Sequence, residues 1–199
     1  MAGHFEPSTS VPGGAAIALD EIELSILRSL TVQLLELIGP GEQPADAADD
    51  PLAELFTDGP TEPPSDPALA RLFPDAYSAP GEREDRAARE ASAEFRRYTE
   101  NELRTRKRED GLAVVHALDA LRPDGSGAAV LTLAPEESRR WLGTLNDLRL
   151  TLGSRLDVGD EDTADELYRL PDEDPRKPLV MAYLWLGGLQ ETLVETLLP

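Results

Sequence analysis

The stretch Trp141–Leu156, WLGTLNDLRLTLGSRL, has the apolar spacing of a central bundle helix, yet it carries an asparagine, an aspartate and two arginines. At about 100° per residue, five apolar side chains share one face of this helix. They are Trp141, Leu145, Leu148, Leu152 and Leu156. Asn146 and Arg149 lie at the margin of that face, whereas Asp147 and Thr151 point away from it. The pattern therefore predicts that Asn146 and Arg149 are partly buried.

A buried guanidinium without a partner is very costly, so Arg149 is expected to pair with a carboxylate of another element. Three glutamates are the candidates: Glu94, Glu100 and Glu102. Asn146, Arg149 and Gln190 are predicted to form a polar seam between the last two helices. We interpret this seam as an internal network that sets helix register. The alternative is a ligand or partner site.

The last helix is predicted from about Asp174 to Leu198, with a broad apolar face. Gly187 and Gly188 would allow a close approach of another helix. Leu184 lies at an outer position, which indicates either a homodimer contact or packing within the chain.

Two short strands are predicted at residues 14–19 and 128–133, and they are expected to pair, since neither can satisfy its backbone groups alone. Asp20 and Glu23 have the spacing of a capping box at the start of a helix that Gly39 and Pro40 end. From Glu82 to about Leu121 the composition favours one long helix, which Gly111 is expected to interrupt. The predicted fold is mainly α: a helical bundle of about four principal helices with a small two-stranded β-sheet.

The remaining segments set the domain organisation. Residues 1–12 are predicted to be a disordered tail, because they combine turn formers with little apolar content. Residues 13–199 are predicted to form a single helical domain, in which residues 39–80 are an acidic, proline-rich connector. Two amphipathic pieces of this connector, DPLAELF and ALARLFPDAY, are expected to dock as short helices.

Charge and composition exclude several classes of function. The formal net charge of −20 repels phosphate backbones and anionic membranes, so nucleic-acid binding would need a local basic face. The chain has no cysteine, which excludes disulfides, thiolate catalysis and thiol-based redox sensing by these residues. No signal peptide or apolar run of about 18 residues is found, so we expect a cytoplasmic protein without membrane contact.

One basic cluster interrupts this acidic composition on the long helix. Its members are Arg96, Arg97, Arg104, Arg106, Lys107 and Arg108. The first interpretation is a solvated face balanced by neighbouring glutamates. The second is a docking patch for an acidic protein partner. The third is direct DNA contact, which six cations in a strongly negative chain make the least favoured.

No motif in the chain supports catalysis, a metal or a cofactor. The acidic run DVGDEDTADE lacks a glycine at the sixth position and a terminal glutamate in the register of a calcium-binding EF-hand loop. His116 is predicted to be a half-buried helix residue rather than a ligand, and no phosphate loop or nucleophile motif is found. A non-enzyme without a cofactor is therefore predicted.

Four segments, RLFPDAY, EFRRYTENELRTRK, WLGTLNDLRLTLGSRL and AYLWLGGLQETLV, occur in an order that resembles an actinobacterial family described as a domain of unknown function. Genes of that family often neighbour the adaptor ClpS and a JAMM-type metalloprotease, and some members are named oxidative-stress transcriptional regulators. The resemblance implies a regulatory, partner-binding role. Where members are thought to sense oxidants through cysteines, this chain departs from them.

The resemblance leads to three functional hypotheses. The first is a non-enzymatic transcriptional regulator linked to oxidative stress, which acts through a protein partner such as a sigma factor or RNA polymerase. The second is an adaptor or accessory factor in ClpS/Clp-type regulated proteolysis. The third is an uncharacterised enzyme.

Overall fold

The computed structural model describes residues 3–40, 59–77, 85–123, 127–158 and 167–198. Within these ranges the chain forms three strands and five helices. The strands are β1 Glu6–Pro7, β2 Ala15–Asp20 and β3 Ala128–Leu133. The helices are α1 Glu21–Ile38, α2 Pro67–Leu72, α3 Arg86–Ala120, α4 Pro135–Arg155 and α5 Lys177–Leu197. The prediction of a mainly helical fold with a small sheet is confirmed.

The sheet is antiparallel in the order β1-β2-β3, so the predicted pairing of two distant strands is confirmed. Ala15 lies opposite Leu133, and Ala18 lies opposite Val130. Alternate residues of β2 and β3 point into the core, as the period of two in a strand requires. The third strand, β1, is supplied by the amino-terminal segment.

The prediction of a disordered tail over residues 1–12 is wrong for the part of it that the structure describes. Phe5 is buried, and its ring packs edge-to-face on Trp141 with centroids 6.3 Å apart. The Phe5 backbone N–H donates to Thr192 Oγ1 at 3.1 Å. One aromatic side chain therefore anchors a segment whose average composition is that of a loop.

Helix α1 begins and ends where the local signals predict. The Glu23 N–H donates to Asp20 Oδ1 at 2.8 Å, and the Asp20 N–H donates to Glu23 Oε2 at 3.0 Å, which completes the capping box. Gly39 follows the last residue with a φ of 65°, a conformation that glycine adopts readily. Because these interactions span only a few residues, they could be predicted from sequence alone.

Helix α3 continues through Gly111, so the predicted interruption there is wrong. A Cβ at this position would lie 3.0 Å from Leu35 Cδ2 of α1. The glycine is explained by the close approach of α1 to α3, because the two helices pack side by side.

The predicted connector is partly built into the core. Its second amphipathic piece forms α2, capped by Asp66 and packed on α4, with Leu72 and Phe73 buried. The first piece, DPLAELF, lies outside the described residues.

Helix α4 is the centre of the bundle, where it contacts α1, α2, α3 and α5. The apolar face predicted for it is buried throughout. Asp147 and Thr151 are also buried, which corrects the prediction that they point away from the core. Leu184 of α5 packs beside Leu156 and Val180, so its apolar character has an explanation within the chain. None of the described helices is long and apolar enough to cross a membrane.

Candidate functional site

The basic cluster on α3 begins with a buried guanidinium. Arg96 is only 4% exposed, and it donates to the Glu100 carboxylate, to Asp75 Oδ1 at 2.8 Å and to the Phe73 carbonyl at 3.0 Å. Burial alone would lower the pKa of Arg96, but the hydrogen bonds to Asp75 and Glu100 outweigh it and raise that pKa. Arg96 therefore remains charged and attaches the segment after α2 to α3.

The next cations of the cluster cap a different helix. Arg104 donates to Glu100 Oε1 at 2.7 Å and to the Ile38 carbonyl. Arg108 donates to the Leu35 and Gly39 carbonyls at 3.2 and 3.0 Å. The last turn of α1 contains no basic residue of its own, so α3 supplies the positive charge that stabilises the carboxyl end of α1.

Lys107 forms the third internal contact of this cluster. Its Nζ lies 2.6 Å from Asp147 Oδ1 of α4, and both side chains are largely buried. Burial raises the pKa of Asp147, while the charge and hydrogen bond of Lys107 oppose that shift. Asp110, one turn further along α3, is also desolvated, and burial raises its pKa despite the charges of Arg140 and Arg106. The Lys107–Asp147 pair joins α3, the longest described helix, to α4.

Four of the six predicted partner-binding cations therefore make internal contacts: Arg96, Arg104, Lys107 and Arg108. The other two cations are Arg97, which is half-buried, and Arg106. Arg106 is exposed, and Arg97 stacks on the Tyr98 ring at 5.4 Å from its centroid. The interpretation of the cluster as a solvated face is wrong for these four cations, because the inner face of α3 is covered by α1, α4 and the segment after α2.

The spacing of charged residues in the sequence indicates that part of the basic cluster faces inward, although the number of cations alone does not. Arg96, Glu100 and Arg104 recur every four residues, and so share a helix face with Ser92 and Gly111, small residues that permit close packing. Asp75 and Asp147, by contrast, could be identified as partners only from the tertiary structure.

The three residues of the predicted polar seam lie together between α4 and α5, but Asn146 is exposed, so its predicted partial burial is wrong. Arg149 Nη1 donates to Gln190 Oε1 at 2.6 Å, and Gln190 Nε2 lies 3.5 Å from Asn146 Oδ1. The guanidinium lies over the Tyr183 ring and against Gly187, where a Cβ would be 3.6 Å from Arg149 Nε. That distance is an ordinary contact, and a Cβ at Gly188 would meet open space, so close packing requires glycine at neither position.

The carboxylate partner predicted for Arg149 is not found among the described residues. Glu100 instead binds Arg96 and Arg104, and both Glu94 and Glu102 are exposed on α3. An amide and an aromatic ring replace the expected anion, because α5 presents Gln190 and Tyr183 where no acid occurs. A half-buried guanidinium can be stabilised in this way by a neutral acceptor and a ring face.

The described ranges contain no arrangement of side chains suited to a metal ion, and the concavity beside the basic cluster is open. No group of three or more His, Asp or Glu side chains there is arranged to hold a metal ion. His116, predicted to be half-buried, is exposed. A concavity of about 470 Å³ lies between the segment Pro60–Pro64 and Glu100, Asn101 and Arg104, and it is open and mainly polar.

Comparison with known proteins gives a consistent set of relatives. The sequence profile of a domain of unknown function, DUF2017, matches residues 3–197. The oxidative stress regulator AosR of Mycobacterium tuberculosis is 31% identical over 183 residues, which covers 88% of this chain and 78% of that protein. The putative oxidative stress regulator AosR of Mycobacterium leprae is 34% identical over 187 residues, covering 88% and 79%. No solved structure matches the chain significantly.

Proposed function

The chain belongs to the DUF2017 family, as the resemblance in its sequence predicted, and on that premise we propose that it is a non-enzymatic regulator linked to oxidative stress that acts by binding another protein. Two relatives from different mycobacteria are named as oxidative stress regulators. That role would place the chain in the cytoplasm.

The observation that carries the protein-partner mechanism is the inward orientation of the basic cluster. DNA affinity depends on cations that reach phosphates from one continuous surface. Here four of the six cations hold α1, α4 and the segment after α2, in a chain of net charge −20. Protein binding is therefore favoured over direct DNA contact.

The partner that we favour is a sigma factor or RNA polymerase, and the alternative is the ClpS/Clp machinery. The test is a pull-down with the tagged full chain from actinobacterial extract, before and after oxidative challenge. Recovery of a sigma factor or polymerase supports the first assignment, and recovery of Clp subunits or ClpS supports the second. A chain that recovers neither under both conditions contradicts the proposal of a protein-binding regulator.

A gel-shift titration tests whether the chain itself binds DNA. We expect no salt-sensitive binding to the chain's own promoter region, and no change with Arg106→Glu, the exposed cation of the cluster. Tight binding that weakens steeply with salt and is lost in Arg106→Glu would instead establish a DNA-binding regulator.

The oxidant signal must reach this chain by a route other than its own thiols, because none of its 199 residues is a cysteine. A regulator of this kind would report the state of a partner that carries the redox chemistry. The proposed mechanism therefore requires a partner-binding surface on this chain.

A further inference from the structure

Three exposed aromatic side chains meet on the outer side of α3 and form a surface that we call the aromatic patch. Tyr77 is 59% exposed, Phe95 47% and Tyr98 65%, and with Glu94 and Ala91 they line an open concavity of about 260 Å³. In the described ranges only one other large aromatic side chain, Tyr168, is this exposed. Clustered exposed rings are typical of protein-binding surfaces, where Tyr and Trp contribute most to affinity.

The patch is held in position by the internal contacts of α3. The Tyr77 N–H donates to the buried Ser92 Oγ at 3.3 Å, and Arg96 holds Asp75 two residues earlier. Tyr77 and Phe95 pack edge-to-face, with centroids 6.2 Å apart and ring planes at 90°. The rings therefore belong to a preorganised surface, which lowers the entropy cost of binding.

Two carboxylates flank the patch, and one cation, Arg97, lies over the Tyr98 ring. Glu94 lines the concavity, and Glu102 is one helical turn beyond Tyr98 on the same side of α3. Within the described residues, neither carboxylate makes an ion pair and no cation lines the concavity. Ring faces beside a carboxylate attract a guanidinium or ammonium group. Tyr98 shows this property, since the Arg97 guanidinium already lies over its ring.

The volume of the concavity indicates whether a small molecule or a single side chain of a larger molecule would bind there. Small-molecule sites generally enclose about 300–1,000 Å³ and bury most of their ligand, whereas this space is smaller and open. One long side chain on a larger molecule fits these dimensions better than a free metabolite does.

We propose that the aromatic patch is the docking site for an arginine or lysine side chain on a basic segment of the partner protein. The cationic group would lie against Tyr98 and Phe95 with its charge beside Glu94. The net charge of −20 would attract such a segment to the chain, and Glu94 would favour its binding at the patch. This inference rests on the proposed function and names the chemistry of its partner.

The first test is an NMR titration of the ¹⁵N-labelled full chain with a glycine–serine peptide that carries one central arginine. We expect shift changes to concentrate at Tyr77 and residues 91–98. Tyr98→Ala and Glu94→Gln should each weaken binding by about five- to tenfold. Tyr168→Ala, which removes an equally exposed ring elsewhere, is the matched control and should bind as the wild type does.

The same peptide with citrulline in place of arginine keeps the size and polarity of the side chain but removes its charge, and it should not bind measurably. Equal binding of the citrulline peptide would overturn the cationic assignment. Shift changes spread over the whole acidic surface, with no loss in Glu94→Gln or Tyr98→Ala, would show general charge attraction and overturn the docking site.

A second readout separates this inference from the proposed function. In the pull-down, Tyr98→Ala and Glu94→Gln should lose the partner that the wild type and Tyr168→Ala recover. A partner recovered equally by all four proteins leaves the proposed function standing and refutes the patch as its docking site. If the wild type recovers no partner although the peptide binds, the proposed function fails while the cation site stands.

Discussion

Neighbouring cations on α3 have different environments, although the sequence presents them as one cluster. Lys107 is buried against Asp147, while Arg106, the residue before it, is exposed. A buried charge depends on its partner far more than a solvated one does, because water cannot replace the missing contact. The two positions therefore form a matched pair for mutagenesis.

Lys107→Met should destabilise the fold by about 3 kcal/mol, because it leaves the Asp147 carboxylate buried without its cation. For a chain of this size, that corresponds to a melting temperature lower by about 6–12 °C. Arg106→Met removes a solvated cation and should change the melting temperature little. Equal effects of the two substitutions in thermal unfolding would show that the Lys107–Asp147 contact contributes nothing.

The penalty in Lys107→Met should depend on pH. Burial already holds the folded-state pKa of Asp147 above its ordinary value, and loss of Lys107, which opposes that shift, raises it further. Since the folded pKa then exceeds the unfolded one, the penalty is present above the folded pKa and fades as the pH falls below it. The difference in melting temperature between wild type and variant should therefore shrink from pH 7 toward pH 4, whereas a constant difference would contradict a role for Asp147 ionisation.

Arg149→Met should have a smaller effect than Lys107→Met. The partner of Arg149 is the Gln190 amide, so no carboxylate is left without its cation, and the substitution also removes a buried Nε that makes no hydrogen bond. Loss of one hydrogen bond between side chains costs about 1 kcal/mol. Thermal unfolding of the two variants side by side checks this order, and a larger loss in Arg149→Met would restore the idea of a buried ion pair at the seam.

At the scale of elements, side chains from the middle of α3 donate hydrogen bonds to the carboxyl end of α1. In the last turn of α1, the Ile38 carbonyl accepts from Arg104 of α3, and the Leu35 carbonyl accepts both from Arg108 of α3 and from the Gly39 N–H. Helix ends leave such carbonyls without partners in their own helix, and a cation there is also favoured by the helix dipole. The packing of α1 on α3 therefore stabilises the last turn of α1.

Arg108→Met should loosen the end of α1 without disrupting its start. We expect a global destabilisation of about 1–2 kcal/mol from the lost contacts to Leu35 and Gly39 carbonyls. Hydrogen exchange should become faster at residues 35–39, while residues near the Asp20–Glu23 capping box keep their protection. Faster exchange along the whole of α1 would contradict this role for Arg108, and so would an unchanged exchange rate at residues 35–39.

For the whole molecule, composition limits how the chain can respond to oxidants. It contains no cysteine, and Met181 is a half-exposed residue that peroxide would oxidise. Diamide is therefore the more informative oxidant, because it acts on thiols.

Diamide should leave the unfolding curve of the purified chain unchanged, and pre-treatment of the chain alone should not alter partner recovery in the pull-down. Treatment of the extract is expected to change recovery if the partner carries the reactive thiol. A shift in the unfolding of the purified chain with diamide would contradict a thiol-independent fold.

Sequence alone predicted the features that depend on short-range chemistry. The α1 capping box, the stop at Gly39, the apolar face of α4 and the strand pair all follow from side-chain periodicity or from contacts within a few residues. Even the grouping of Asn146, Arg149 and Gln190 could be predicted, because helix projection places polar residues relative to an apolar face.

The identity of each charge's partner was decided only by tertiary packing. Projection of α4 placed Asp147 outside the core, yet α3 covers that side and provides Lys107, while α5 offers Arg149 an amide where an acid was expected. Composition likewise suggested a loop at the amino terminus, where Phe5 reaches Trp141. A pattern within one element shows which side chains share a face, but whether that face meets water or another helix depends on contacts between residues far apart in the chain.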